Sequence, residues 1–268
     1  MKKIFKIVFL SLLIILALKA VALAGVNPSA QIIKSEVLKG TPTVDGDLDK
    51  AYLSSLQVKL NPPKYAGVDT NVKATCYALY DNNYVYVFYK VENDTTLMSA
   101  DDDYIQDHYH PQLNDAVELR IGDDLEEKLP PYDGSNAAHH LFLMDAYGKR
   151  FSCYEDALFE YLPLMKGVAK IVSGTAYNVE MAIPLAEGGK FNDGDIIQFN
   201  FQIDDLQDDY GTTGYIGLGK TYMTLVDFTI SSKIADGATV VDTPVDDKPV
   251  DDKPVVNPGD DDKPVVNP

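Results

Sequence analysis

Glu118 and Arg120 stand two apart in the stretch Ala116-Val117-Glu118-Leu119-Arg120-Ile121. In an extended strand that spacing puts both on one face, with Val117, Leu119 and Ile121 on the other. Such a pair can brace itself as an ion pair on an open, solvated face, or offer charge-assisted hydrogen bonds to a ligand. Asp45, Asp47 and Asp49 have the D-x-D-x-D spacing of a calcium loop. That pattern then needs Gly at its sixth position and Glu at its twelfth, where this chain has Lys50 and Leu56, so an EF-hand is excluded. Asp45 and Asp47 remain candidate ligands of a looser calcium site. The plainer reading is a turn at Gly46 with Asp47 capping a short helix. Acidic runs at 101–103 and 204–209 offer further hard oxygens, and structural calcium somewhere in the domain is expected.

His108 and His110 aim to one side of an extended segment and could meet Asp103 or Asp107 at a metal. A third ligand at fixed spacing is absent, so a loop with two unliganded histidines is the preferred reading. His139 and His140 with Met144 raise axial haem ligation, but adjacent histidines in a strand face opposite ways. No G-x-S-x-G elbow, H-E-x-x-H motif or Cys/His arrangement is present, and carboxylates are too many to single out a glycosidase pair. A non-catalytic protein is expected. Cys76 and Cys153 either bridge the sheets after export or stay as thiols, Cys76 lying on a face shared with Val72, Ala74 and Ala78.

The chain has 268 residues and a formal charge of −18, from 41 Asp and Glu against 23 Lys and Arg. This acidity argues against duplex nucleic acid and anionic membrane as partners. It is unevenly shared. Residues 1–25 carry four Lys and no acid, and residues 235–268 carry nine Asp and three Lys, leaving −16 for the middle. The first 25 residues read as a signal peptide. Lys2, Lys3 and Lys6 precede an apolar run at 7–17, and Ala22-Leu23-Ala24 is a small-x-small cleavage site. The expected product is secreted or held at the cell envelope, with no membrane span after the signal is removed. Residues 235–268 repeat DDKPVVNP, contain no aromatic residue, and read as a disordered, extended linker toward a further module.

Residues 26–234 alternate like strands. The segments are 71–80, 84–91, 116–121, 140–146, 168–172, 177–183, 196–203 and 225–230. Asp81-Asn82-Asn83 is a hairpin turn between the first two. Helical periodicity is confined to short pieces at 47–53 and 154–161. The expected fold is all-β: one immunoglobulin-like or DOMON-like antiparallel sandwich of eight to eleven strands.

Five segments in order add a family resemblance. Thr43-Val44-Asp45-Gly46-Asp47-Leu48-Asp49-Lys50-Ala51-Tyr52 resembles I-D-G-x-x-D-x-x-W. Leu79-Tyr80-Asp81-Asn82-Asn83-Tyr84-Val85-Tyr86-Val87 resembles D-x-x-Y-L-Y-V. Asn114-Asp115-Ala116-Val117-Glu118-Leu119 resembles D-S-V-E-x-F. Tyr177-Asn178-Val179-Glu180-Met181-Ala182-Ile183-Pro184 is similar to G-Y-x-V-E-x-A-I-P, and Phe199-Asn200-Phe201-Gln202-Ile203-Asp204-Asp205 to G-F-N-x-Q-x-N-D. These are motifs of the family 9 carbohydrate-binding modules, within the DOMON-like sandwiches.

The resemblance implies a secreted module that binds a polysaccharide or oligosaccharide. It implies an accessory role in degradation of xylan or cellulose, with structural calcium as the cofactor. It places Glu118 at the sugar, with Asp204 and Asp205 on the family's Asn-Asp pair. The family's stacking tryptophans are replaced: Pro111 is followed by Gln112, and Tyr222 stands at the later position. Tyr109, Gln112, Tyr222 and His140 complete the expected carbohydrate-binding set. Some DOMON-like sandwiches carry haem, and a haem-binding redox domain is one alternative; a structural envelope module is the other.

Overall fold

A computed structural model describes residues 25–63, 66–94, 97–98, 114–123, 140–151, 165–185, 189–208, 212–221 and 224–240. The signal segment through residue 24, the repeats from 241, the piece at 154–161 and Cys153 lie outside the described residues.

The fold is all-β, as expected, with fourteen strands among the described residues rather than eight to eleven. The central ones match the alternating segments: β5 (Lys73–Tyr80), β6 (Tyr84–Glu92), β7 (Ala116–Asp123), β8 (His140–Asp145), β10 (Lys166–Ser173), β11 (Ala176–Pro184), β12 (Ile196–Leu206) and β14 (Val226–Ile234). The additional ones are β1 (Gln31–Lys34), β2 (Glu36–Lys39), β3 (Leu56–Leu60), β4 (Ala66–Gly67), β9 (Arg150–Phe151) and β13 (Thr213–Gly217). All six are two to five residues long, too short for alternation to stand out in sequence. The short helix or turn expected at 47–53 is a 3-10 turn over Lys50–Ser54.

Hydrogen bonding runs continuously through β10-β11-β6-β5-β2-β14-β12-β7-β8-β9, and the sheet curls on itself into two facing layers. β2 is the seam, parallel to both β14 and β5. Between the layers lies one large core. It takes Cys76, Ala78, Val87 and Tyr89 from one side, and Val117, Leu119, Phe199 and Phe201 from the other. Tyr89 spans the gap, with its ring 5.6 Å from that of Phe201 and its hydroxyl donating to the Glu118 carbonyl at 2.8 Å. Cys76 is buried here, and burial pushes its thiol well above the ordinary range.

β5 and β6 are apolar on both faces because a second cluster covers their outer side. Tyr77, Leu79, Tyr84, Tyr86 and Phe88 pack there against Tyr52, Ala51 and Ala235. The folded part therefore continues past 234: Ala235 is buried and donates its N–H to Lys39, and Thr239 bridges to Thr41.

Two of the sequence motifs have structural explanations. Asp81 Oδ1 accepts the N–H groups of Asn83 and Tyr84 at 2.7 and 2.8 Å, closing the hairpin. Its Oδ2 accepts the hydroxyls of Tyr86 and Thr41 at 2.6 and 2.9 Å. Glu180 on β11 closes the loop before the 3-10 turn. It accepts the Tyr52 hydroxyl at 2.9 Å and the N–H groups of Asp45 and Gly46 at 3.1 Å each. Those donors do not offset burial, which pushes the Glu180 carboxyl up to about 7 from 4.5.

Between pH 4.5 and 7 the unfolded chain has released this proton while the folded chain still holds it. Stability therefore falls as pH rises through that window, by about 3 kcal/mol at ~1.4 kcal/mol per unit. Denaturant titrations at pH 5 and pH 8 read this slope together with that of Asp115, which burial pushes up to about 8, and Glu180→Gln should reduce it. An unchanged slope in that variant would remove Glu180 as a contributor.

Candidate functional site

The second layer has a polar face turned away from the core. β7 sends Val117, Leu119 and Ile121 inward, and β12 sends Phe199, Phe201 and Ile203. Strand alternation then places Glu118 and Arg120, and Asn200, Gln202 and Asp204, on the opposite side. The register joins them into rows. Gln202 sits between Glu118 and Gly217, Asp204 between Ala116 and Tyr215, and Asn200 faces Arg120.

All five of these polar side chains are buried. Arg120 Nη1 donates to Glu118 Oε2 at 2.6 Å, and Gln202 Nε2 donates to Asp204 Oδ1 at 2.7 Å. Burial, then the charge of Glu118, raises the Asp204 carboxyl well above the ordinary range, although Gln202 and Arg120 act the other way. Asp204 Oδ2 receives no N–H or O–H donor among the described residues. A proton on it turns that oxygen into a donor toward Glu118. The two carboxyl groups and one guanidinium then form a neutral set, which can stay out of water far more cheaply than a net charge. Tyr215 closes the row at the Asp204 end and is half-buried. Its hydroxyl is pushed up to about 12 by burial and by Asp204.

A second cluster lies at one end of the core. Asp94 follows β6, Asp115 precedes β7 and Asp205 belongs to β12. All three are buried, and one carboxylate oxygen from each lies within 4.8 Å of the others. Asp115 accepts the N–H of Leu206 at 2.8 Å and that of Met98. Asp205 Oδ2 accepts from the Thr70 hydroxyl and the Gln207 amide. Burial, then Asp94, pushes the Asp115 carboxyl up to about 8. Among the described residues, two polar atoms here have no hydrogen-bond partner: Asp205 Oδ1 and the hydroxyl of Tyr177, a fully buried residue. Three crowded carboxylates with an orphaned oxygen fit a hard divalent cation such as calcium, which takes oxygen ligands.

The sequence profile of the family described as "Carbohydrate family 9 binding domain-like" matches residues 44–223. The chain belongs to that family. Solved structures are similar in fold. A family 9 carbohydrate-binding module from Caldicellulosiruptor kristjanssonii in complex with cellotriose shares 20% identity at a TM-score of 0.56, over 79% of this chain and 100% of its own. A family 9 module from the same organism in complex with glucose shares 18% identity at a TM-score of 0.55, over 75% and 96%. No curated protein sequence matches this one.

Within the family 9 sandwich, the structure brings together some of the expected site residues and separates others. Glu118 and Asp204 share the polar face. Asp205 points the opposite way, into the acidic cluster, because β12 continues to Leu206 and its alternation runs through both residues. The Glu118–Arg120 pair is buried instead of solvated. Asp45 and Asp47 each have another partner. Asp45 Oδ1 accepts the N–H of Asp47 at 2.9 Å, and the exposed Asp47 carboxylate pairs with Lys170 at 2.6 Å.

Tyr109, Gln112, Tyr222, His108, His110, His139 and the acids at 101–103 lie outside the described residues. The backbone of His140 opens β8 opposite Ile121, and its side chain lies outside the description. Met144 packs in the core, where a Cβ on Gly167 would stand 3.0 Å from its sulfur. Sequence reading missed Gln202, Tyr215, Asp94, Asp115 and Tyr177 as site residues. The alternation of β12 and β13 carried a signal for the first two. For the others there was none, since their convergence depends on how distant strands pair.

Proposed function

We propose that this chain is a non-catalytic carbohydrate-binding module, exported and serving the breakdown of a xylan- or cellulose-type polysaccharide. The observation that carries this reading is the polar face of β7 and β12. There a guanidinium, two carboxyl groups and an amide sit in register on a rigid sheet. Hydroxyl-rich ligands are held by such groups, and hydrogen bonds to charged groups are the stronger kind, worth about 1.5–3 kcal/mol each. Family membership supports the reading, as do the cellotriose and glucose found in the two similar structures. The ligand reaches the buried groups from the half-buried Tyr215 edge.

Calcium is proposed at Asp94, Asp115 and Asp205 rather than at Asp45 and Asp47, where the carboxylates already have other partners.

Titration calorimetry with glucose, cellotriose and xylotriose tests the binding. The expected result is saturable heat with at least one of them, weakened about tenfold or more by Asp204→Asn, which deletes one acid hydrogen bond. Absence of saturable heat with all three would end the proposal.

A further inference from the structure

We propose that Tyr215 is the aromatic wall of this site, covering one C–H face of a pyranose ring whose hydroxyls are held by Asp204 and Gln202. The inference rests on the polar face being the binding face. Sugar rings have apolar faces that lie well against aromatic planes. The chain has no tryptophan to do this, so the task falls to a smaller ring. Phe199, Phe201, Phe228 and Phe142 of the second layer are committed to the core.

Tyr215 is placed differently. Ile216 in the strand and Leu218 just after it are buried in the core, so alternation sends Tyr215 and Gly217 to the polar side. The register sets Tyr215 beside Asp204 and Gly217 beside Gln202. Gly217 contributes no side chain, so the position next to the ring and in front of Gln202 is bare backbone. The ring belongs to neither apolar cluster and keeps part of its surface exposed.

The ring is also held in place. β4 pairs with β13 and sets Ala66 opposite Tyr215 and Gly67 opposite Gly214. A Cβ on Gly67 would stand 2.8 Å from Tyr215 Cδ2 and 2.0 Å from the Thr213 carbonyl oxygen, and Gly67 has φ +72°. Only glycine allows the edge strand to come this close to the ring. Fixing the ring before binding reduces the entropy lost when the ligand arrives.

The absence of tryptophan makes the test clean. Tyr215→Trp places the chain's sole indole at the proposed wall. On titration with cellotriose its emission should shift saturably, with the same midpoint as the calorimetric heat. Tyr215→Phe keeps the ring and should bind close to the unsubstituted chain. Tyr215→Ala removes it and should weaken binding about tenfold. Thermal melts by circular dichroism confirm that each variant is folded.

Indole emission that stays unchanged while calorimetry records saturation overturns the role of Tyr215 and leaves the binding function standing. So does full affinity in Tyr215→Ala. An unsubstituted chain that binds no sugar overturns both. If Tyr215→Ala fails to fold, the tryptophan titration still decides.

Discussion

Glu118→Ala should destabilise the domain by about 3 kcal/mol and abolish sugar binding. The variant leaves the buried Arg120 guanidinium without the carboxylate that lies 2.6 Å from it. Removing one partner of a buried pair costs roughly 3–5 kcal/mol, because the remaining charge is left in a poor solvent. The lower end applies here, since the Asp204 carboxyl also interacts with the same guanidinium. Replacing both partners, Glu118→Leu with Arg120→Met, should recover much of the lost stability, because apolar residues of similar volume often substitute for a buried ion pair at little cost. The double variant should still bind no sugar. Denaturant unfolding and calorimetry on the same two proteins separate the roles. A double variant that binds normally would show that this pair only supports the sheet. A double variant no more stable than Glu118→Ala would count against the buried-charge explanation.

Calcium should raise the melting temperature of the chelated protein by about 5–10 °C. The estimate takes about 2.7 kcal/mol from a ligand at a hundred times its dissociation constant, and roughly 2–4 °C per kcal/mol for a domain of this size. The shift should vanish in Asp115→Asn with Asp205→Asn and persist in Asp45→Asn with Asp47→Asn. It should also be larger at pH 8 than at pH 5. The Asp115 carboxyl is raised from 3.8 to about 8, so across that window the folded, cation-free chain holds a proton that the unfolded chain has released. The stability of the cation-free protein therefore falls as pH rises, while the cation competes with fewer protons. Scanning calorimetry at the two pH values with and without calcium measures both effects. A shift that survives in the Asp115 and Asp205 variant, or is lost in the Asp45 and Asp47 variant, would place the cation elsewhere.

The sandwich was legible because strand alternation is local. The runs at 71–80, 84–91, 177–183 and 196–203 each appear as strands, and the Asp81 turn closes the hairpin that its spacing predicts. Glu118 and Arg120 share a face for the same reason. Asp204 and Asp205 illustrate the limit. The alternating segment is read only as far as 203, and the resemblance puts both carboxylates at the sugar. Pairing with β13 and β7 keeps β12 extended as far as Leu206, so the two carboxylates part company. Tyr77 and Tyr86 form a second apolar layer only because Tyr52 and Ala51 of the 3-10 turn, with Ala235, cover them, and no local pattern announces that cover.

The sequence alone determined the strand periodicity, the acidic balance, the lack of any tryptophan to stack on a sugar, and the motifs by which the family is recognised. Each is a property of single residues or near neighbours. Three things waited for the tertiary structure: the burial of the Glu118–Arg120 pair, the meeting of Asp94, Asp115 and Asp205, and the seat of Tyr215 beside Asp204. Each depends on which distant strands lie side by side. Burial and cross-strand register arise from packing the whole chain, and no local pattern encodes them.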